Sequence, residues 1–166
     1  MKVTATKLTN LDLARKACSA TLGGGKSGIS LDALYRCEHS PIRTQIFWVE
    51  MSDIPSFVSV HFVRHKIGVE HFVQSMRDDM RGEGTEDRYT PVHHAMLANA
   101  HALINMARKR LCYKAHRETV SAMEAVKAAV DGCDPELAKY MTPECVYRGG
   151  ICHELRPCGK MVGVRV

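Results

Sequence analysis

The sequence predicts an α/β fold in a single domain, and three observations carry that expectation. Its 166 residues suit one domain and leave no room for two full ones. Hydrophobic residues make up 45% of the chain, enough for a packed core and too many for a disordered segment. A run rich in β-branched and aromatic residues, QIFWVE at 45–50, stands among stretches with helical periodicity.

Residues 11–20 read as a short helix with Asn10 at its N-cap. TLGGGKSG follows at 21–28. A phosphate loop of the form G-x-x-x-x-G-K-S would need glycine at Ala20 and a strand before it, so this segment reads as a flexible loop. Ser30 is placed to cap a second helix through Arg36, and 45–50 form a strand. Ser52 or Asp53 then caps a helix with Pro55 in its first turn, running through FVSVHFVRHK. Phe57, Val58, Phe62 and Val63 recur at helical spacing, while His61, Arg64 and His65 gather on another face.

Gly68 breaks this pattern, 69–76 are expected to be extended, and 78–88 form a polar loop. Pro91 opens the longest helix, to Tyr113, burying Met96, Leu97, Ala100, Leu103, Ile104 and Ala107. A further helix spans 118–130. The tail from Cys133 contains Pro135, Pro143 and Pro157 and is expected to be irregular. Residues 1–132 thus form a compact α/β unit, and 133–166 a cysteine-rich irregular extension of the same domain.

The N-terminal MKVTATKLTN has no apolar signal core, and no apolar run approaches the length of a membrane span. Seven cysteines without a signal segment read as reduced thiols or metal ligands, which makes the cytoplasm the default compartment. Lys and Arg number 23 against 18 Asp and Glu, a formal charge of +5 that suits phosphorylated small molecules. The cations form no long stripe, and four Phe and one Trp offer few stacking platforms, which weighs against nucleic acid. A domain this small has little volume to enclose a large cofactor, so a site shared in a homo-oligomer is expected.

Three polar constellations interrupt the apolar pattern. Arg64-His65-Lys66 offers charge-assisted donors to an anion, and equally complements a helix C-terminus. In Gln74-Ser75-Met76-Arg77, an extended backbone puts Ser75 and Arg77 on one face, where the pair can grip a phosphate or simply be solvated. Asn99, Asn105 and Arg110 lie in an otherwise apolar helical pattern, where they bond backbone or face a ligand rich in donors and acceptors. His93, His94 and His101 carry no specific metal spacing. Cys133, Cys145, Cys152 and Cys158, with 11, 6 and 5 residues between them, tolerate a zinc site without forming a C-x-x-C signature.

These residues resemble the flavin-dependent thymidylate synthase family, which carries R-H-R-x-x-S-x-N-E-x-S-x-R. Arg64 and His65 match its first two residues and Lys66 keeps the third positive; Ser75 and Arg77 match the final S-x-R with one inserted residue. Val69, His71 and Phe72 occupy the motif's central serine, asparagine and glutamate positions in the ungapped alignment. NAHALINMARKRLCYKAHRE, from Asn99, resembles the family's N-A-R-S-L-x-N-F-L-x-x-R-x-x-x-x-A-Q-x-E helix, with Asn99, Leu103, Asn105, Arg110, Ala115 and Glu118 matching. The resemblance spans about residues 37–120. The family's A-R-x-x-L-P substrate segment is missing, with Arg81 or Arg88 as stand-ins. The chain is thus similar to a short, divergent member, and its cysteine tail to those of virus-like members.

The resemblance implies a central mixed or antiparallel sheet flanked by helices, with a long central helix. It implies methylation of dUMP to dTMP, with methylenetetrahydrofolate as carbon donor and FAD reduced by NADPH. Arg64, His65, Lys66, Asn99 and Asn105 would hold the cofactor, and Gln74, Ser75, Arg77 and Arg110 the nucleotide. Arg110 would also stabilise charge on the pyrimidine, in a site formed between subunits of a homotetramer. Two alternatives stand beside this: another flavin-dependent modification of a pyrimidine nucleotide, and a non-catalytic nucleotide-binding or assembly protein that keeps the fold.

Overall fold

The computed structural model describes residues 1–81 and 87–159, with the side chains of Asp78 and Arg81 left out. Strand β1 (Lys2–Lys7) leads into helices α1 (Leu11–Thr21) and α2 (Leu31–Cys37), then a 3₁₀ turn (Ser40–Thr44). Next come β2 (Ile46–Pro55), α3 (Ser56–Val63), β3 (Val69–Val73) and the short α4 (Asp78–Arg81). The chain continues through β4 (Pro91–Asn99), α5 (Ala100–Arg110), α6 (Arg117–Asp131), α7 (Pro135–Tyr140) and α8 (Glu144–Tyr147). Among the described residues, the strands form one antiparallel sheet in the order β1-β2-β4-β3. Also among these residues, no helix is long and apolar enough to cross a membrane.

Period-two alternation builds the core. Phe47, Val49 and Met51 of β2 are paired with Ala98, Met96 and His94 of β4, and this face is buried. Helices α3 and α6 pack on it, contributing Phe57, Val58 and Phe62 from α3 and Met123, Val126 and Val130 from α6. Trp48 and Phe72 point to the opposite face, where their ring centroids lie 5.5 Å apart.

A buried polar knot fastens the layers at one end. Asp134 accepts bonds from Lys7 Nζ and Tyr35 Oη, each at 2.6 Å, and caps α7 through Leu137 N–H at 3.0 Å. One carboxylate thereby joins β1, α2 and α7, and burial with that carboxylate pushes the Tyr35 hydroxyl pKa up.

Several expectations are met. The first helix forms beside Asn10, although the Asn10 side chain makes no capping bond. Ser30 Oγ caps α2 by accepting from Ala33 N–H at 3.2 Å. The helix at 118–130 and the strand after Gln45 are also present.

Others are corrected. Ser52 and Asp53 do not cap a helix: β2 continues through a bulge between Met51 and Ile54, where Asp53 takes a φ of 58°, and α3 starts only after Pro55. That helix stops at Val63, so Arg64 is its C-cap and His65 and Lys66 lie beyond it. The helix expected to open at Pro91 is a strand through Asn99, and the helical part covers 100–110 alone. Ladder bonds to β2 and β3 on both sides override the helix propensity of its Ala, Met and Leu residues. In the tail, Pro135 stands at a helix start rather than a break, and α7 and α8 interrupt the irregular chain expected there, while 148–159 form neither helix nor strand. Of the polar loop expected at 78–88, residues 82–86 lie outside the described residues.

Candidate functional site

The end of α3 and the end of α5 meet. Arg110 Nε donates to His65 Nε2 at 3.0 Å, and one Arg110 Nη donates to the His61 carbonyl at 2.6 Å. At the other end of α5, Asn99 N–H donates to Gly68 O at 2.9 Å, and Asn99 Oδ1 caps the helix through Ala102 N–H at 2.9 Å. Gly68 has a φ of +75°, and a Cβ there would lie 2.3 Å from Asn99 Nδ2. The turn after α3 is thus bolted to both ends of α5.

Because His65 accepts through Nε2, its proton sits on Nδ1. Burial, then Arg110 and His71, lower its pKa to about 4, so the ring is neutral near pH 7. Arg110 is half-buried, and burial followed by Arg64 lowers its pKa; a guanidinium still stays charged. Two cations beside a neutral imidazole make an anion-attracting corner.

Behind His65 runs a relay of side chains. His71 Nε2 bonds the His65 carbonyl at 2.8 Å, so it carries a proton. With neutral rings, His94 Nε2 then donates to His71 Nδ1 at 2.9 Å, and Ser59 Oγ donates to His94 Nδ1 at 3.0 Å. His94 is fully buried, and burial followed by His71 and His93 lowers its pKa to about 4. On the near side, His61 Nδ1 bonds Thr119 Oγ1 at 2.7 Å, tying α3 to α6.

A cleft of about 520 Å³ opens beside this corner, with Val60, Val63, Val73, Met76 and Val92 on its walls and Arg64 and Lys66 at its rim. Among the described residues, neither cation forms an ion pair.

The other expected site residues divide. Asn105 Oδ1 accepts from Arg108 Nη1 at 2.9 Å; Arg108 also bonds Glu38 and lies 3.5 Å from the centre of the Tyr147 ring. Gln74 extends the β3–β4 pairing, its Oε1 accepting from His93 N–H at 3.0 Å. Ser75 Oγ accepts from Arg77 N–H at 3.2 Å, while the Arg77 guanidinium is held by Asp79 at 2.7 and 2.9 Å on the surface. Among the described residues, none of Gln74, Ser75 and Arg77 bonds the Arg110 corner. Arg88 lies over the Phe57 ring, 4.7 Å from its centre, and the Arg81 side chain is outside the described set.

Sequence reasoning passed over Ser59 and did not join His71 to His94. A signal existed: Val92, His94, Met96 and Ala98 alternate, and as a strand they put His94 on the core face.

No family model matches this chain, and no curated protein sequence matches it. Solved structures do. Thymidylate synthase X from Helicobacter pylori with FAD and dUMP superposes with a TM-score of 0.68 at 16% identity, over 88% of this chain and 99% of that one. A second structure of flavin-dependent thymidylate synthase ThyX from Helicobacter pylori, complexed with FAD and dUMP, gives 0.65 at 16% identity, over 87% and 99%. The fold is the one those enzymes have. The antiparallel four-stranded sheet flanked by helices is therefore a ThyX-like architecture.

Proposed function

We propose that this protein is a flavin-dependent thymidylate synthase, methylating dUMP to dTMP with methylenetetrahydrofolate as carbon donor and NADPH as reductant. The observation that carries this reading is the Arg110–His65 contact, 3.0 Å long, because it joins the two sequence segments that resemble the family. The ThyX-like fold supports it.

The residues present fit FAD. The cleft beside Arg64 and Lys66 offers apolar walls for a flat ring and exposed cations for phosphates. Bound FAD, once reduced by NADPH, would supply the reducing equivalents that convert a transferred methylene to a methyl group. The chain's own work is orientation and electrostatics. Arg110 spends Nε and one Nη on His65 and the His61 carbonyl, which fixes its plane and leaves its other Nη for a substrate. A fixed guanidinium stabilises negative charge developing on a pyrimidine without a proton transfer of its own. Neutral His65 accepts from Arg110 and adds no competing charge. Residues exposed near the turn, Val60 and Ile67, suit burial against further copies in a homotetramer, whose mass light scattering would measure.

The test is a visible spectrum of the purified protein, then titration with FAD and dUMP. Flavin absorbance that shifts on adding dUMP is expected; no flavin uptake and no nucleotide effect would overturn the reading. A response to other pyrimidine nucleotides but not dUMP would favour a different flavin-dependent modification. One set of observations favours a non-catalytic nucleotide-binding protein: Asn99 is spent on capping, Asn105 on Arg108 and Arg77 on Asp79. Tight dUMP binding without flavin would support that second reading.

A further inference from the structure

A second cavity of about 630 Å³, bordered by Arg110 but separate from the apolar cleft, holds a set of thiols that the proposed chemistry does not use. Four of the chain's seven cysteines line it: Cys112 just after α5, Cys145 in α8, and Cys152 and Cys158 from the tail. We propose that Cys112, Cys145, Cys152 and Cys158 bind one zinc ion that fastens the tail to the end of α5.

The ligand set differs from the one expected from the tail alone. Cys133 does not line this cavity; it packs against the hydrophobic core near Lys7 and Asp134. Cys112 takes its place, arriving from an element that sequence spacing does not connect with the tail. Four thiolates in tetrahedral array are the donor set of structural zinc.

A tight backbone reversal separates two of the four cysteines. After α8 the chain reverses at Gly149 and Gly150, with φ of 67° and 97°, and Gly150 N–H closes the turn on Cys145 O at 2.7 Å. Cys145 and Cys152 lie on the two sides of that reversal, and both line the cavity.

Charge fits as well. Zinc with four thiolates carries a net charge of −2, and five cations, Arg108, Lys109, Arg110, Lys114 and Arg148, line the same cavity against two carboxylates, Glu144 and Glu154. On binding, each thiol releases its proton to solvent as its sulfur bonds the metal, so affinity rises with pH. Among the described residues, no three His, Cys, Asp or Glu side chains are gathered tightly enough to hold a metal as they stand. The tail must therefore draw in around the ion. It is able to: past the Ile151 N–H to Arg148 O bond, residues 152–159 add no backbone hydrogen bond among the described residues. Metal binding would then contribute folding free energy to a segment with little of its own.

Elemental analysis of the full chain, purified without chelator and dialysed, tests this. About one zinc per chain is expected, and cobalt exchanged into the site should show the absorption of tetrahedral thiolate coordination. Cys112→Ser should lower metal retention at least about 10-fold, while Cys133→Ser retains it fully. Should Cys112→Ser fail to fold, thiol alkylation read by mass spectrometry decides for the parent chain. Cys112, Cys145, Cys152 and Cys158 should resist until chelator is added, while exposed Cys37 reacts at once. Metal-free protein with these four thiols freely reactive, iron with labile sulfide, disulfides among them, or equal metal loss in Cys133→Ser would each overturn the assignment. Every readout is independent of flavin and of turnover.

Discussion

Adding one methyl group at Gly68 tests how the corner is held together. Gly68 takes a φ of +75°, and an alanine Cβ would lie 2.3 Å from Asn99 Nδ2 and 2.9 Å from its Cγ. An L residue in the left-handed region costs about 1–2 kcal/mol. The Asn99 amide must also move, and its Oδ1 is the cap on Ala102 N–H at 2.9 Å. Losing such a cap costs about 1 kcal/mol. Gly68→Ala should therefore lower the urea-unfolding free energy by about 2–3 kcal/mol. Asn99→Ala alone should cost about 1 kcal/mol, and in that background Gly68→Ala should cost only the backbone strain, about 1–2 kcal/mol. The difference between the two backgrounds, about 1 kcal/mol, measures the clash. A Gly68→Ala cost below about 0.5 kcal/mol, or one identical in both backgrounds, would refute this reasoning.

Acid should weaken the fold through His65 and His94. Both have folded pKa values of about 4 against an ordinary 6.5, so the unfolded chain binds more protons across that window. Stability is full above about pH 6.5 and falls as pH drops towards 4; for fully buried His94 the loss approaches about 3 kcal/mol. Unfolding curves at stepped pH check this, and a flat profile between pH 7 and 5 would contradict it. His71→Ala should cost about 1–3 kcal/mol, because buried His94 Nε2–H loses its acceptor. A neutral His71→Ala would break the relay assignment. Asp134→Asn should cost about 3 kcal/mol by denaturation, since Lys7 and Tyr35 lose their shared carboxylate. Replacing Arg77 with Ala should leave stability within about 0.5 kcal/mol, as its pair with Asp79 is exposed.

Local signals made α1, α2, the start of β2 and α6 legible. The Ser30 cap is written in the sequence, as is the β-branched and aromatic run that becomes the start of β2. The stretch from Pro91 to Asn99 was not legible, because Ala, Met and Leu favour helix while strand pairing is long-range. That error hid His94, whose inward placement follows only from the strand register. Arg110 and His65 were nameable from the resemblance, yet 45 residues separate them, so their contact needed the fold. The residues alone left the two asparagines open between backbone partners and a ligand, because composition cannot tell a capping oxygen from a free one; the Asn99 oxygen caps its own helix. Cys112 was passed over for the same reason: it joins the tail cysteines through tertiary placement alone.

Single turnover measures the central claim most directly. Protein loaded with FAD and reduced anaerobically is mixed with dUMP and methylenetetrahydrofolate, and dTMP is quantified against time. The parent chain should form dTMP in amounts matching its bound flavin. Arg110→Ala should keep its flavin and slow dTMP formation by roughly 10²-fold or more, because it loses charge stabilisation made in the transition state. Arg110→Lys should rescue poorly, keeping the charge but not the planar fork that holds His65 and the His61 carbonyl. Bound flavin and dUMP with no dTMP from the parent chain, or parental rates from a folded Arg110→Ala, would contradict the account.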